Sequence, residues 1–184
     1  AKIANSELYV LAIGGDGDAY AEGGNHFMHA VRRNNSITYI VCDNQVYGLT
    51  KGQASPTSEW GFITKTTPFG VISEPVHPLV IAIALGASFV ARGFAGDVVH
   101  LAGIIKQTIP RKGFSLIDIL QPCVSFNYEN TYDWYRKRVY KLDDVKDYDP
   151  ADRYKALTKA IEWGDKIPIG VIYKQDRASY EELL

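Results

Sequence analysis

Two short stretches carry residue types that can do chemistry together: Gly14-Gly15-Asp16-Gly17-Asp18 and Asp43-Asn44-Gln45-Val46-Tyr47-Gly48. Glycines let a backbone come close to a phosphate and take conformations other residues avoid. A helix starting after the first stretch would add unpaired N–H groups and the positive end of its dipole. Asp16 and Asp18 would repel a bare phosphate, and a divalent cation between carboxylate and phosphate removes that conflict. Mg2+ prefers oxygen ligands at about 2.0–2.1 Å and commonly takes one or two carboxylates together with the phosphates of its ligand. Asn44 supplies a neutral hard oxygen, and the chain turning through Gln45 and Val46 can add a carbonyl. Asp16 and Asn44 stand 28 residues apart, the length of one strand–helix–strand unit. Each stretch by itself reads as a turn. An EF-hand reading fails because no Glu stands at the twelfth loop position. A dinucleotide reading fails because Tyr20 stands where the third glycine of Gly-x-Gly-x-x-Gly belongs.

Elements to position these residues follow from the apolar pattern. Leu8–Ile13 and Ile37–Cys42 are continuous apolar runs that read as buried strands. Phe89–Ala91, Phe114–Leu120 and Ile169–Lys174 read as further strands. Helices are expected over Ala21–Arg33, with Phe27, Ala30 and Val31 on one face, and over Pro78–Ser88, Asp97–Ile109 and Ala151–Trp163, with Asp97 as an N-cap. Apolar strands separated by helices predict a doubly wound α/β fold: a mostly parallel sheet with helices on both faces. Ligands in such sheets bind beyond the carboxyl ends of the strands, where both motifs fall. Two stretches break the rhythm. Residues 43–75 are rich in Gly, Pro, Ser and Thr, and a long structured loop of this kind is usually functional. Residues 122–150 read as an extended surface segment. Its Phe126, Tyr128, Tyr132, Trp134 and Tyr135 must pack either on a partner or back on the core. The expected division is a cofactor-binding α/β domain over 1–121, and a C-terminal extension over 122–184 packing on that domain, on a partner subunit or on both.

The longer string around the motifs is more specific than its parts. It runs Gly-Asp-Gly-Asp-Ala-Tyr-Ala-Glu-Gly-Gly-Asn-His-Phe from Gly15, then Arg32-Arg33-Asn34. It continues with Asp-Asn-Gln-Val-Tyr-Gly-Leu-Thr-Lys-Gly-Gln-Ala-Ser-Pro-Thr over 43–57, Gly113-Phe114 and Gln121-Pro122-Cys123. With Gly-Asp-Gly and Asn one strand–helix–strand unit apart, this resembles the beta subunits of archaeal and bacterial 2-oxoacid:ferredoxin oxidoreductases, from about residue 7 to residue 175. The resemblance implies a thiamine-diphosphate-binding fold. It implies Mg2+ on Asp16, the Asn44 side chain and the Val46 carbonyl, and a diphosphate lined by Gly15, Gly17, Asp18, Gly48 and Leu49. It implies oxidative decarboxylation of a 2-oxoacid to an acyl-CoA, with electrons passed to ferredoxin, in a complex with an alpha subunit. Lys51, a cation on a flexible stem, is a candidate contact for a substrate carboxylate or a CoA phosphate; its other reading is a solvated surface lysine. A non-redox thiamine-diphosphate decarboxylase or synthase and a non-catalytic cofactor-binding module are the rival readings, and Cys123 with Thr50-Lys51-Gly52-Gln53 speaks against the first.

The family holds a [4Fe–4S] cluster on four cysteines of its beta chain, three of them before the Gly-Asp-Gly motif. Cys123 matches the fourth, and no cysteine precedes Cys42 here. The chain begins without Met or a basic-then-apolar leader, so a processed or truncated chain is expected, inactive in isolation. Cys42, inside an apolar run, reads as a core thiol. Glu22 reads as a solvated or interface residue, the activating carboxylate of the family coming from the alpha subunit. His26 and His29 lack a third ligand at suitable spacing and read as packing or interface residues. A net charge of −1 gives no global attraction to nucleic acid or acidic lipid. The longest apolar stretch, residues 78–91, is short of the ~20 residues a bilayer requires. Two cysteines in 184 residues make no disulfide framework, and a cytoplasmic protein is expected.

Overall fold

The computed structural model describes residues 1–184. Six strands form one sheet in the order β1-β2-β6-β5-β8-β7. These are β1 (Val10–Gly15), β2 (Ile37–Asp43), β5 (Phe89–Phe94), β6 (Ser115–Leu120), β7 (Val139–Lys141) and β8 (Ile167–Lys174). All neighbouring pairs are parallel except β5 and β8. A separate two-stranded hairpin, β3 (Val46–Tyr47) with β4 (Gln53–Ala54), stands beyond the end of β2. The expected α/β architecture is therefore the observed one, with β8 as the antiparallel exception.

The sheet's two faces are covered unequally. On one face, α1 (Gly24–Arg33), α2 (Pro78–Ala84) and α5 (Arg153–Ile161) close a core that includes Phe27, Val31, Val41, Leu79, Ile83, Val90, Leu116, Ala160 and Ile172. On the other face, α3 (Val98–Thr108) lies over β5 and β8 and buries Ile40, Phe89, Ile104 and Ile117. Nothing in the chain covers this face of the edge strand β1. Leu11 and Ile13 are accordingly 52% and 69% exposed, where the continuous apolar run predicts a buried strand.

Several boundaries differ from the sequence reading for local reasons. The predicted helix from Ala21 splits into a π-helical turn (Asp18–Glu22) and α1. The Gly23 N–H bonds the Asp18 carbonyl at 2.7 Å, and a Cβ on Gly23 would meet that carbonyl at 2.5 Å, so only glycine fits the junction. Helix α2 stops at Ala84 because Gly86 turns left-handed at φ +80°. Asp97 caps α3 as expected, accepting the His100 N–H. The short strand predicted to end at Ala91 runs on to Phe94 through a buried Arg92.

The segment 122–150 is not an extended surface stretch. Thr131 caps α4 (Tyr132–Arg136) by accepting the Trp134 N–H, and β7 then joins the main sheet beside β8. Tyr135 is 1% exposed and packs with Phe94, Trp134 and Trp163, so Tyr132, Trp134 and Tyr135 turn back on the core, while Phe126 and Tyr128 stay exposed. Residues 122–184 thus add two strands to the same sheet as β1.

Asn34 ties the end of α1 to three other segments. It sits left-handed at φ 59°, accepts from Ser88 Oγ and the Phe114 N–H, and donates to the Ala178 carbonyl. Asn34→Ala should strip these bonds from a fully buried position and keep the left-handed strain. The expected loss is about 2–4 kcal/mol, read as a lowered urea midpoint at unchanged slope.

Candidate functional site

Beyond the carboxyl ends of β1 and β2 the chain gathers its most buried polar side chains. The two strands pair in parallel with Gly15 opposite Cys42, so Asp16 and Asn44 emerge side by side. Asp16 is 1% exposed. Its Oδ2 accepts from Ser55 Oγ at 2.5 Å and lies 2.8 Å from Thr57 Oγ1, which leaves Oδ1 without a side-chain donor. Burial raises the Asp16 pKa, and the Ser55 and Thr57 hydroxyls pull it back toward the ionised form, helped by the Asn44 backbone N–H.

Thr57 Oγ1 also lies 2.7 Å from Asp43 Oδ1. One hydroxyl proton cannot serve two carboxylates, so one of the two contacts needs a carboxyl proton. Burial, with the charges of Asp118 and Asp16 adding to it, pushes Asp43 well above the usual carboxylate range. The geometry is therefore satisfied with Asp43 protonated and donating to Thr57, while Thr57 donates to Asp16. Deeper in the sheet, Asp118 accepts from the Tyr20 hydroxyl at 2.7 Å; burial pushes it up to about 6, and the Arg92 charge pulls it down.

The turn after β2 is held by its own side chains. Asn44 Oδ1 accepts the Val46 N–H at 3.1 Å, and Asp43 Oδ1 accepts the Gln45 N–H at 3.2 Å. Gln45 takes a left-handed φ of 60°, and its amide donates to the Thr57 carbonyl. The hairpin then projects outward. Leu49 is 98% exposed, and Lys51 is exposed with φ 64°, beside Gly52. Tyr47 leans back across the first motif: a Cβ on Gly17 would fall 2.1 Å from its ring, and its hydroxyl donates to the exposed Glu22 carboxylate at 3.2 Å. Gly15 and Gly48 face open space.

Cys123 follows β6, half-buried against the small cluster of Val46, Phe62 and Val71. Its loop is tied to the Asn44 turn through Asn127 Nδ2, which donates to the Asn44 carbonyl at 3.2 Å. Cys42 is half-buried rather than sealed in the core, because it shares the open face of β1 and β2. His26 and His29 are exposed. No three His, Cys, Asp or Glu side chains converge into a metal-binding cluster, so a cation here would meet one protein carboxylate and complete its shell from amide, carbonyl and ligand oxygens. No helix is long and apolar enough to cross a membrane.

Four residues of this region, Ser55, Thr57, Arg92 and Asp118, have no role in the sequence reading. Ser55 and Thr57 lie inside the motif string over 43–57. Arg92 and Asp118 carry a different signal: single charges in otherwise apolar strands.

Comparison with known proteins bears on the same region. Residues 1–119 match the family described as thiamine pyrophosphate enzyme, C-terminal TPP binding domain, and residues 123–184 match the C-terminal family of the pyruvate ferredoxin oxidoreductase beta subunit. The chain is 48% identical to a 2-oxoacid:ferredoxin oxidoreductase subunit beta of a Sulfolobus species over 98% of its length, and 44% identical to subunit beta of oxidoreductase 1 of Aeropyrum pernix over 100%. It superposes with a TM-score of 0.94 at 37% identity, over 99% of its length, on a solved 2-oxoglutarate:ferredoxin oxidoreductase of Magnetococcus marinus, described with 2-oxoglutarate, coenzyme A and succinyl-CoA bound. The chain belongs to the thiamine pyrophosphate enzymes and, among them, to the beta subunits of the 2-oxoacid:ferredoxin oxidoreductases. It spans 61–63% of the length of these relatives.

Thr57→Val removes the one hydroxyl shared by two buried carboxylates at nearly constant volume. The folded chain should lose about 1–3 kcal/mol, as expected for leaving buried acceptors unpaired. Both carboxylates have pKa values raised by folding, so their ionisation opposes folding as pH rises. The variant's deficit in urea unfolding should therefore be larger at pH 7 than at pH 5.

Proposed function

We propose that this chain is the part of a beta subunit that holds thiamine diphosphate and Mg2+ for oxidative decarboxylation of a 2-oxoacid to an acyl-CoA, with electrons delivered to ferredoxin. The observation that carries the reading is the buried Asp16 carboxylate. One of its oxygens is locked by two hydroxyls and the other is free of side-chain donors, beside Asn44 and inside the region that matches the thiamine pyrophosphate family. The residues fit the group. Asp16 Oδ1 and the Val46 carbonyl are oxygen donors, and Asn44 Oδ1 uses one lone pair on the Val46 N–H and keeps another. Open space at Gly15 and Gly48 admits a diphosphate close to the backbone, with Gly17, Asp18 and Leu49 along its flanks.

Bound there, thiamine diphosphate supplies the nucleophilic carbon and electron sink for decarboxylation. The protein's own residues do the rest. Ser55 and Thr57 keep Asp16 ionised and aimed, and Tyr47 on Glu22 holds the hairpin against the first motif. Lys51 reaches toward a substrate carboxylate or a CoA phosphate. Cys123 is one thiolate of a [4Fe–4S] cluster whose other ligands come from outside these residues. The apolar loops around the hairpin, where Leu49 and Phe69 are each 98% exposed, are covered by an alpha subunit, which also supplies the activating carboxylate. Neither cysteine is paired, which accords with a cytoplasmic setting.

Asp16→Ala and Asn44→Ala, each made in the full-length subunit within its complex, should abolish Mg2+-dependent thiamine diphosphate binding in calorimetry while the chain still unfolds cooperatively, Asp16→Ala at a lowered midpoint because it leaves the buried Ser55 and Thr57 hydroxyls without their acceptor. Unchanged affinity in both would remove the assignment. Lys51→Asn keeps a residue that tolerates the left-handed turn and removes only the cation. It should raise the apparent KM for the 2-oxoacid or CoA roughly tenfold, the scale of one lost charged contact of about 1.4 kcal/mol, without changing cofactor affinity. Cys123→Ser should lower the iron and sulfide content of the full-length subunit and bleach its visible absorption; full iron content would free Cys123 from the cluster.

A further inference from the structure

Asp43 and Thr57 present a second surface, away from the hairpin, to a chamber of about 90 Å3. Asp118 and Arg92 form more of its wall, and Leu79 and Ala160 add apolar surface. The four polar side chains are each at least 96% buried. The chamber also touches Glu59 and the exposed His77, which mark its way out to solvent.

Arg92 gives an independent indication of what this space holds. It stands directly across from Asp118 on neighbouring strands, yet the two form no ion pair. Its guanidinium is turned toward the Ala160 carbonyl at 3.1 Å and the Pro168 carbonyl at 3.5 Å, with the Trp163 ring 5.4 Å away. No acceptor of the protein reaches its Nε. A buried cation and two buried carboxylates around one space, without direct contact, need something polar between them. An anion would face Asp118 and Glu59. A metal ion would face Arg92, and no three metal-binding side chains converge. Water has no such conflict: Arg92, Asp118, Asp43 and Thr57 offer it polar partners within an otherwise largely apolar wall, and at roughly 30 Å3 per molecule the space takes about three waters.

We propose that the chamber is an internal water site, in which a hydrogen-bonded cluster links the Arg92 guanidinium to Asp118 and Asp43, opens toward His77, and lets Asp118 exchange its proton with solvent through the protein interior. The groups facing Asp118 are Tyr20 from the π-helical turn, Asp16 beyond β1, Cys42 and Asp43 on β2, Arg92 on β5 and Tyr135 on α4. Arg92 is the one cation among them and favours the ionised form; burial and the other carboxylates favour the proton. The cluster gives Asp118 a route to solvent that does not pass the open mouth of the site. It stands whether or not the proposed reaction is the one this chain performs.

The test is a crystal structure of the full-length subunit in its complex, at a resolution that shows ordered solvent, paired with infrared spectroscopy of the same complex in H2O and D2O. The expected result is ordered water bridging Arg92 Nε and Asp118. With it should come a protonated-carboxyl band that is absent from Asp118→Asn, fades as pH passes about 6, and shifts within the mixing time in D2O. If Asp118→Asn does not fold, the solvent in the wild-type crystal decides alone. A chamber closed by direct Arg92–Asp118 pairing or filled by a bound ion overturns the proposal. So does a carboxyl band that exchanges only as slowly as the chain unfolds.

Discussion

Three carboxylates buried within one small region are the constraint to which the rest of the structure answers. Asp16, Asp43 and Asp118 each lie at 4% exposure or less, and Arg92 is the one buried cation near them. Burial in a low-dielectric interior raises their proton affinities, with repulsion from neighbouring carboxylates adding to it at Asp43 and Asp118, so each survives there only with dedicated partners. Asp118 has Tyr20, Asp43 shares Thr57, and Asp16 has both Ser55 and Thr57. The hydroxyls are unequally shared: Asp16 receives the most donors, so it is the carboxylate best able to stay charged, and it is the one that emerges at a strand end beside Asn44.

That division of partners dictates the loops. Ser55 and Thr57 reach Asp16 only because the hairpin returns the chain from Tyr47 to Gln53, and Ser58 closes it by bonding the Gln45 carbonyl. The Asn44 turn is braced from the other side by Asn127, in the segment that follows Cys123. The C-terminal part is therefore structurally continuous with the first motif: it supports the Asn44 turn and, through β8, completes the sheet that carries Arg92.

The strand–helix alternation, the neighbouring placement of the Asp16 and Asn44 strand ends, and the Asp97 cap are legible in the sequence because each is set by local pattern. The uncovered face of β1 is not. A run such as Leu-Tyr-Val-Leu-Ala-Ile reads the same whether one side or both are covered, and coverage depends on where distant helices pack. Residues 122–150 mislead for the opposite reason: their polar, Asp- and Asn-rich composition hides a short capped helix whose one buried side, Tyr135, is decided by contacts with Phe94 and Trp163. Arg92 and Asp118 leave a readable trace, a lone charge in each of two apolar strands. Strand-period reasoning passes over such charges because it seeks apolar runs. Ser55 and Thr57 carry no trace of their own, since their role exists only once the hairpin folds back over β1.

We propose that the Ser55–Thr57–Asp16 arrangement presents one carboxylate oxygen to a metal bound with a diphosphate. The most direct measurement is a high-resolution structure of the full-length subunit in its complex with thiamine diphosphate and Mg2+. The expected result is Mg2+ on Asp16 Oδ1 at about 2.0–2.1 Å, with Asn44 Oδ1 and the Val46 carbonyl in the same shell and both hydroxyls still on Oδ2. A metal bound without Asp16, or Asp16 turned away with its hydroxyls released, would contradict it.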